Sequence, residues 1–160
     1  MPDVGLARRR QQVLREAHVG IAAILSGKGG EVTTVGPDST VGDIVAELMT
    51  RRIGAVLVIE VGVVVGVVSE RDVVRGLAAH HSGVLGLRAR EIMTSPVITI
   101  APGDSVATAM ELMTDRRIRH LPVLENGRLV GLVSIGDLVK QRIADAEQEA
   151  LALKDYISAG

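Results

Sequence analysis

The apolar positions of this chain change spacing in a fixed order, and the whole order then recurs. Val32 to Val35 is a short run that reads as a strand. Pro37-Asp38-Ser39-Thr40 supplies turn and N-cap residues, and Val41, Ile44, Val45 and Leu48 follow at helical spacing, which predicts an amphipathic helix over 41–51. Residues 54–59 and 63–68 are β-branched runs separated by Glu60-Val61-Gly62, the pattern of a hairpin. Ser69-Glu70-Arg71-Asp72 then opens a second helix over 70–79. After a linker from His80 to Leu87 the order repeats: a strand around Val97–Ile100, a turn at Pro102-Gly103-Asp104, a helix over 106–117, and strands over 120–125 and 128–133 closing on Asn126-Gly127. A final helix starts after Ser134 and carries Val139, Ile143, Ala146, Ala150, Leu153 and Ile157 on one stripe, a face suited to a neighbour or a partner subunit.

The recurrence is literal. Residues 37–75 and 102–140 align at an offset of 65 without a gap, and 14 of the 39 positions are identical. Two copies are too few for a solenoid. They predict instead a pair related by a pseudo-two-fold axis, each covering the other's apolar face, with ligand-sized clefts between the halves. The expected fold class is α+β: two β-α-β-β-α repeats plus terminal helices. The expected boundaries are a leader helix at 1–18, a first repeat at 19–79, a linker at 80–88, a second repeat at 89–142 and a helical extension at 143–160. Residues 19–25 are apolar enough to pack on the core, and Ser26-Gly27-Lys28-Gly29-Gly30 reads as a loop by composition.

Composition removes several function classes. The chain has 160 residues, 47% of them apolar, which suits a globular core. Its net charge of −1 argues against a general polyanion binder. With no Cys there is no disulfide, thiolate nucleophile or cysteine–zinc site, and a reducing, cytoplasmic location is expected. One Tyr and no Phe or Trp leave no stacking platform for single-stranded nucleic acid, and 24 valines promise an aliphatic, strand-rich core. No secretory signal is legible at the N-terminus, and the most apolar stretch, Val56–Val68, is too short to span a bilayer as a helix. Neither nucleic acid nor membrane is expected as a partner.

The candidate chemistry sits at the two hairpin–helix junctions, Gly66-Val67-Val68-Ser69-Glu70-Arg71-Asp72 and Gly131-Leu132-Val133-Ser134-Ile135-Gly136-Asp137. Each sets Ser and Asp three apart at a helix N-terminus, where free N–H groups and the helix dipole favour an anion. The serine hydroxyl can meet a phosphate or ribose, and the carboxylate can accept from two vicinal ribose hydroxyls. The competing reading is a capping box, in which both side chains do no more than satisfy backbone N–H groups. The spacing alone leaves both open.

With Arg119-His120-Leu121-Pro122-Val123 ahead of the second junction and Ile92-Met93-Thr94 after Glu91, the chain resembles the CBS-domain family. The match is close over 90–142 and good over 20–78. The resemblance implies a tandem pair, sometimes called a Bateman module, that commonly binds AMP, ADP, ATP, NAD or S-adenosylmethionine in clefts between its repeats. It implies ribose contacts for Asp72 and Asp137, and hydroxyl contacts for Ser69 and Ser134. Arg119 and His120 would be the basic residues facing phosphate. The adenine would lie against backbone and aliphatic groups around Thr34 and Val35 with Ile53, Gly54, Ala55 and Val56 in the first repeat. In the second it would lie around Thr99, Ile100 and Ala101 with Ile118, Arg119, His120, Leu121 and Pro122. The first repeat departs from the pattern, because Gly54-Ala55 stands where the second has Arg119-His120. Arg71 is the candidate replacement cation there, and two unequal sites are expected.

The resemblance further implies a stand-alone regulatory sensor that forms a homodimer and acts on an unidentified protein partner. The rival is a ligand-free interaction module. Other signals carry less. Lys28-Gly29-Gly30-Glu31-Val32-Thr33-Thr34 is only partly like a P-loop, since it lacks the second Gly-Lys pair and precedes a short strand. His80-His81 lack metal-ligand spacing, so no metal is expected. Arg51-Arg52 and Arg116-Arg117 end their helices, where cations suit the dipole. Nothing sets a nucleophile beside a base and an orienting acid, so no catalytic residue is assigned and no enzyme is expected.

Overall fold

The two hairpins pair in the same register at an offset of 65 residues. In the computed structural model, which describes residues 20–160, strands β2 (Ala55–Glu60) and β3 (Val63–Ser69) pair antiparallel from Ala55↔Ser69 to Glu60↔Val63. Strands β4 (His120–Glu125) and β5 (Arg128–Ser134) pair from His120↔Ser134 to Glu125↔Arg128. Both ladders shift register at the same place, after Val58 and after Val123. Both close on left-handed two-residue turns: Val61 at φ 48° with Gly62 at 76°, and Asn126 at 51° with Gly127 at 76°. Such turns match the strand twist. The leader expected at 1–18 falls outside the described residues.

The described residues divide into two compact units that are not the two sequence repeats: residues 31–99 form one, and residues 20–30 with 100–160 the other. In the unit 31–99, β1 (Thr34–Val35) runs parallel to β2, with Thr34↔Leu57 and Val35↔Val58 in register. Helix α2 (Val41–Arg51) is capped by Thr40, whose hydroxyl accepts from the Asp43 N–H. Its Ile44 and Leu48 pack with Val56, Val58, Val68 and Ala89. Helix α3 (Glu70–His80) follows β3 directly. The expected linker is ordered structure: a 3-10 turn at His81–Gly86 with Val84 fully buried, then the short helix α4 (Ala89–Ile92). Met93, at the end of α4, lies against Gly66 of β3, where any side chain on Gly66 would collide with it.

The other unit repeats this arrangement with a different contributor. Helix α1 (Ile21–Lys28) lies on its hairpin, burying Ile21 and Ile24 and setting Leu25 against Gly131 of β5, as Met93 sits against Gly66. The loop expected from Ser26 is a correction: the helix continues through Lys28 and ends at Gly29, whose φ of 86° suits glycine. Helix α5 (Val106–Arg116) and the long α6 (Ile135–Ser158) complete the unit.

The strand expected around Val97–Ile100 does not form either; only a single parallel bridge, Ile100↔Val123, is made. The reason lies 65 residues after Leu57. The Leu57 N–H donates to Thr33 O at 3.1 Å and secures β1, whereas the corresponding residue is Pro122, which has no N–H to donate.

Candidate functional site

Each hairpin delivers its serine as the last strand residue and the N-cap of the next helix, so Ser and Asp meet across one helical turn. The Ser69 N–H donates to Asp72 Oδ2 at 2.8 Å, and the Asp72 N–H donates back to Ser69 Oγ at 3.4 Å. In the second copy the Ser134 N–H donates to Asp137 Oδ2 at 2.9 Å, and the Asp137 N–H to Ser134 Oγ at 3.3 Å. Both junctions are therefore complete capping boxes. A second shared bond ties each helix to the residue before its hairpin: Glu70 N–H to Gly54 O at 3.0 Å, and Ile135 N–H to Arg119 O at 2.9 Å.

Beyond the cap the two carboxylates differ. Asp72 is 4% exposed. Its Oδ2 also accepts from the Ser69 hydroxyl at 2.9 Å, and its Oδ1 accepts from Thr94 Oγ1 at 2.9 Å and from Arg75 at 3.3 Å. Asp137 keeps 24% of its side chain exposed and receives Lys28 Nζ on Oδ2 at 2.7 Å. Partial burial pushes its carboxyl up. The hydrogen bonds from Lys28 and the Ser134 N–H, the lysine charge and the Ser134 hydroxyl together outweigh that, and the group sits below the ordinary carboxylate range.

The remaining candidates fall into place by element. Thr34 and Val35 form β1; Ile53 and Gly54 lead into β2, and Ala55 and Val56 begin it. The Val56 side chain is committed to the core, with no exposed surface. Arg71 is exposed on the first turn of α3. Thr99 closes the unit 31–99, while Ile100, Ala101, Ile118, Arg119, His120, Leu121 and Pro122 belong to the other. Leu121 is fully buried, His120 is half-buried opposite Ser134, and Arg119 is exposed.

A cavity of about 580 Å³ opens beside β1 and α2. It takes in Thr34 and Val35 but neither Ser69 nor Asp72, and its rim is acidic: Glu31, Asp43 and Glu47, with Arg51 already paired to Glu47. That charge does not suit a phosphate. Among the described residues no group of His, Asp and Glu could hold a metal, and no helix is long and apolar enough to cross a membrane.

Two residues that the sequence did not single out as contacts complete the carboxylate surroundings. Thr94 lies 22 residues from Asp72, and Lys28 lies 109 residues from Asp137. Thr94 stands in Ile92-Met93-Thr94 and Lys28 in the glycine-rich stretch that is partly like a P-loop, and neither pattern named a contact to a carboxylate.

Comparison with known proteins agrees with this architecture. The CBS-domain profile matches residues 30–79 and 89–143. A mitochondrial CBS domain-containing protein of Arabidopsis thaliana is 35% identical over 128 residues, covering 77% of this chain; the chain spans 62% of that relative's length. A crystal structure of a CBS-domain protein from Agrobacterium tumefaciens is 40% identical with a TM-score of 0.76, covering 78% of this chain and 94% of that one. A CBS-domain protein from Pyrobaculum aerophilum, solved in complex with AMP, is 31% identical with a TM-score of 0.65, covering 74% of this chain and 89% of that one. With two tandem profile matches, the repeated hairpin–helix junctions and these structural neighbours, the chain belongs to the CBS-domain family.

Proposed function

We propose that this chain is a regulatory tandem CBS module that binds an adenosine-containing nucleotide, of the AMP, ADP, ATP or NAD type, and that Asp137 is its principal ribose acceptor. The observation that carries the reading is the state of Asp137. It is an ionised carboxylate at a helix N-terminus, partly exposed, which receives both Lys28 Nζ and the Ser134 N–H on Oδ2. An acceptor of this kind can meet vicinal hydroxyls while its helix stays capped. Ser134 and the N–H groups of the first turn of α6 supply polarity for a phosphate, with His120 at the start of β4 opposite Ser134 and Arg119 just before it as basic neighbours. The AMP complex of the Pyrobaculum relative supports the ligand class.

Asp72 belongs to a second, less open site, because Ser69, Thr94 and Arg75 already occupy both of its oxygens. Ligand output works through a shift between two states of the protein, whose size is limited by the ligand's differential affinity for them. A homodimer formed through the exposed stripe Val139, Ile143, Leu153 and Ile157 of α6 is the assembly we expect to transmit that shift. Sedimentation equilibrium tests it.

The nucleotide reading is tested by thermal shift with AMP on the wild type and on Asp137→Asn. A native-state ligand raises the melting temperature by mass action. Loss of the AMP response in Asp137→Asn, with the ligand-free melting temperature nearly unchanged, supports ribose binding. An unchanged AMP response alongside a lower ligand-free melting temperature leaves Asp137 a cap only. In that case the rival reading, a ligand-free interaction module, stands for this repeat.

A further inference from the structure

Lys28 is the one side chain from outside the hairpin–helix junction that reaches Asp137 among the described residues. It ends α1, and its Nζ donates both to Leu132 O at 2.9 Å and to Asp137 Oδ2 at 2.7 Å. Lys28 is 38% and Asp137 24% exposed, so the pair lies at the solvent edge and opens without unpacking the core. A pair so placed is held weakly. A ribose that presents two hydroxyls to the carboxylate competes with the ammonium for Oδ2. Once displaced, that ammonium remains on its four-carbon stem beside the ligand, in need of a new anion.

Among the described residues, the partners of Asp72 in the first repeat differ in kind. There Thr94 supplies a neutral hydroxyl to Asp72, and the nearby cation, Arg75, comes from the same helix as the aspartate and is 69% exposed. On the ribose reading of Asp137, we propose that Lys28 is a specificity-determining residue of the second repeat. It covers the carboxylate when no ligand is present and transfers to the phosphate when the ribose arrives. The site therefore selects 5′-phosphorylated adenosine over neutral adenosine.

The test is calorimetric titration of the intact protein with AMP and with adenosine, for wild type, Lys28→Met, Lys28→Arg and Asp137→Asn. Wild type should favour AMP. Lys28→Met should weaken AMP by about tenfold, the scale of one lost charge-assisted hydrogen bond, and leave adenosine unchanged or tighter because its competitor is gone. Lys28→Arg should keep most of the AMP preference. Equal losses for both ligands in Lys28→Met would mean that Lys28 only holds the fold and would overturn the proposal. So would no change for either ligand, or AMP binding that survives Asp137→Asn. If wild type binds neither ligand, the ribose reading itself fails and this proposal with it. Wild-type AMP binding with an unaltered preference in Lys28→Met removes the proposal alone.

Discussion

Asp72 and Asp137 hold the same place in the two repeats, each three residues after a serine and each closing a capping box. Their surroundings are nonetheless opposite in kind. Asp72 is nearly fully buried and filled on both oxygens by Ser69, Thr94 and Arg75. Asp137 is partly exposed and paired with Lys28 at the solvent edge. Local sequence determines the cap, because the bonds run between residues three apart. The segment that lies over each hairpin determines everything else, and the two segments differ: the stretch just after α4 brings Thr94, and α1 brings Lys28. A duplicated motif has thus yielded one carboxylate built mainly into the structure and one left available for exchange.

The largest effect that would break this contrast is on stability. Asp72→Ala leaves Ser69, Thr94 and a helix N-terminus without their acceptor in a buried place, and should cost about 3 kcal/mol. Asp137→Ala loses a cap and an edge ion pair and should cost about 1 kcal/mol. Urea unfolding of both variants measures the difference; equal costs would remove the distinction between a structural and an exchangeable aspartate.

A smaller effect isolates the threonine. Thr94→Val keeps the shape and deletes the donor to Asp72 Oδ1, so it should cost about 1–2 kcal/mol. A double-mutant cycle with Asp72→Ala should return most of that as coupling. Additive costs would show that Thr94 acts through packing alone.

The hairpin turns sharpen the comparison from another side. Val61 and Asn126 both adopt left-handed φ, yet only asparagine tolerates it well. Val61 is also 97% exposed, so packing does not offset the strain. Val61→Asn should stabilise the protein by about 1 kcal/mol, read as a higher denaturation midpoint, and Asn126→Val should do the reverse. A neutral Val61→Asn would show that the turn relaxes around valine.

The smallest effect is a pH dependence. The folded-state pKa of Asp137 is lowered, so its contribution is fully present above the unfolded carboxylate value, about 3.9, and is lost as pH falls through the folded value. Lys28→Met removes the chief opposing partner. The variant should be less stable than wild type at pH 7, by under about 1 kcal/mol, and the gap should close towards pH 3. Paired urea titrations at the two pH values check this. A gap that does not change with pH would assign the loss to the packing of α1.

Much of this protein was legible from residue spacing. The helix over 41–51, both hairpins and the helix starts after Ser69 and Ser134 follow from local periodicity, caps and turn residues. The one expected strand that failed carried its own warning, since Pro122 stands where Leu57 donates the securing bond. A run of apolar residues carries no count of backbone donors. Ser26–Lys28 looked like a loop because glycines flank it. The helix persists there because Ile21, Ile24 and Leu25 anchor it on the hairpin, a tertiary gain that outweighs weak local propensity.

The sequence by itself determined the duplication, the order of elements and the two Ser–Asp caps, since each depends on contacts within a few residues. Tertiary structure alone decided which aspartate is closed and which is open. Thr94 and Lys28 reach their carboxylates across 22 and 109 residues, and the compact units assemble pieces from either side of the repeats. No local pattern encodes such a meeting, because it is set by which helix finds room beside Gly66 or Gly131.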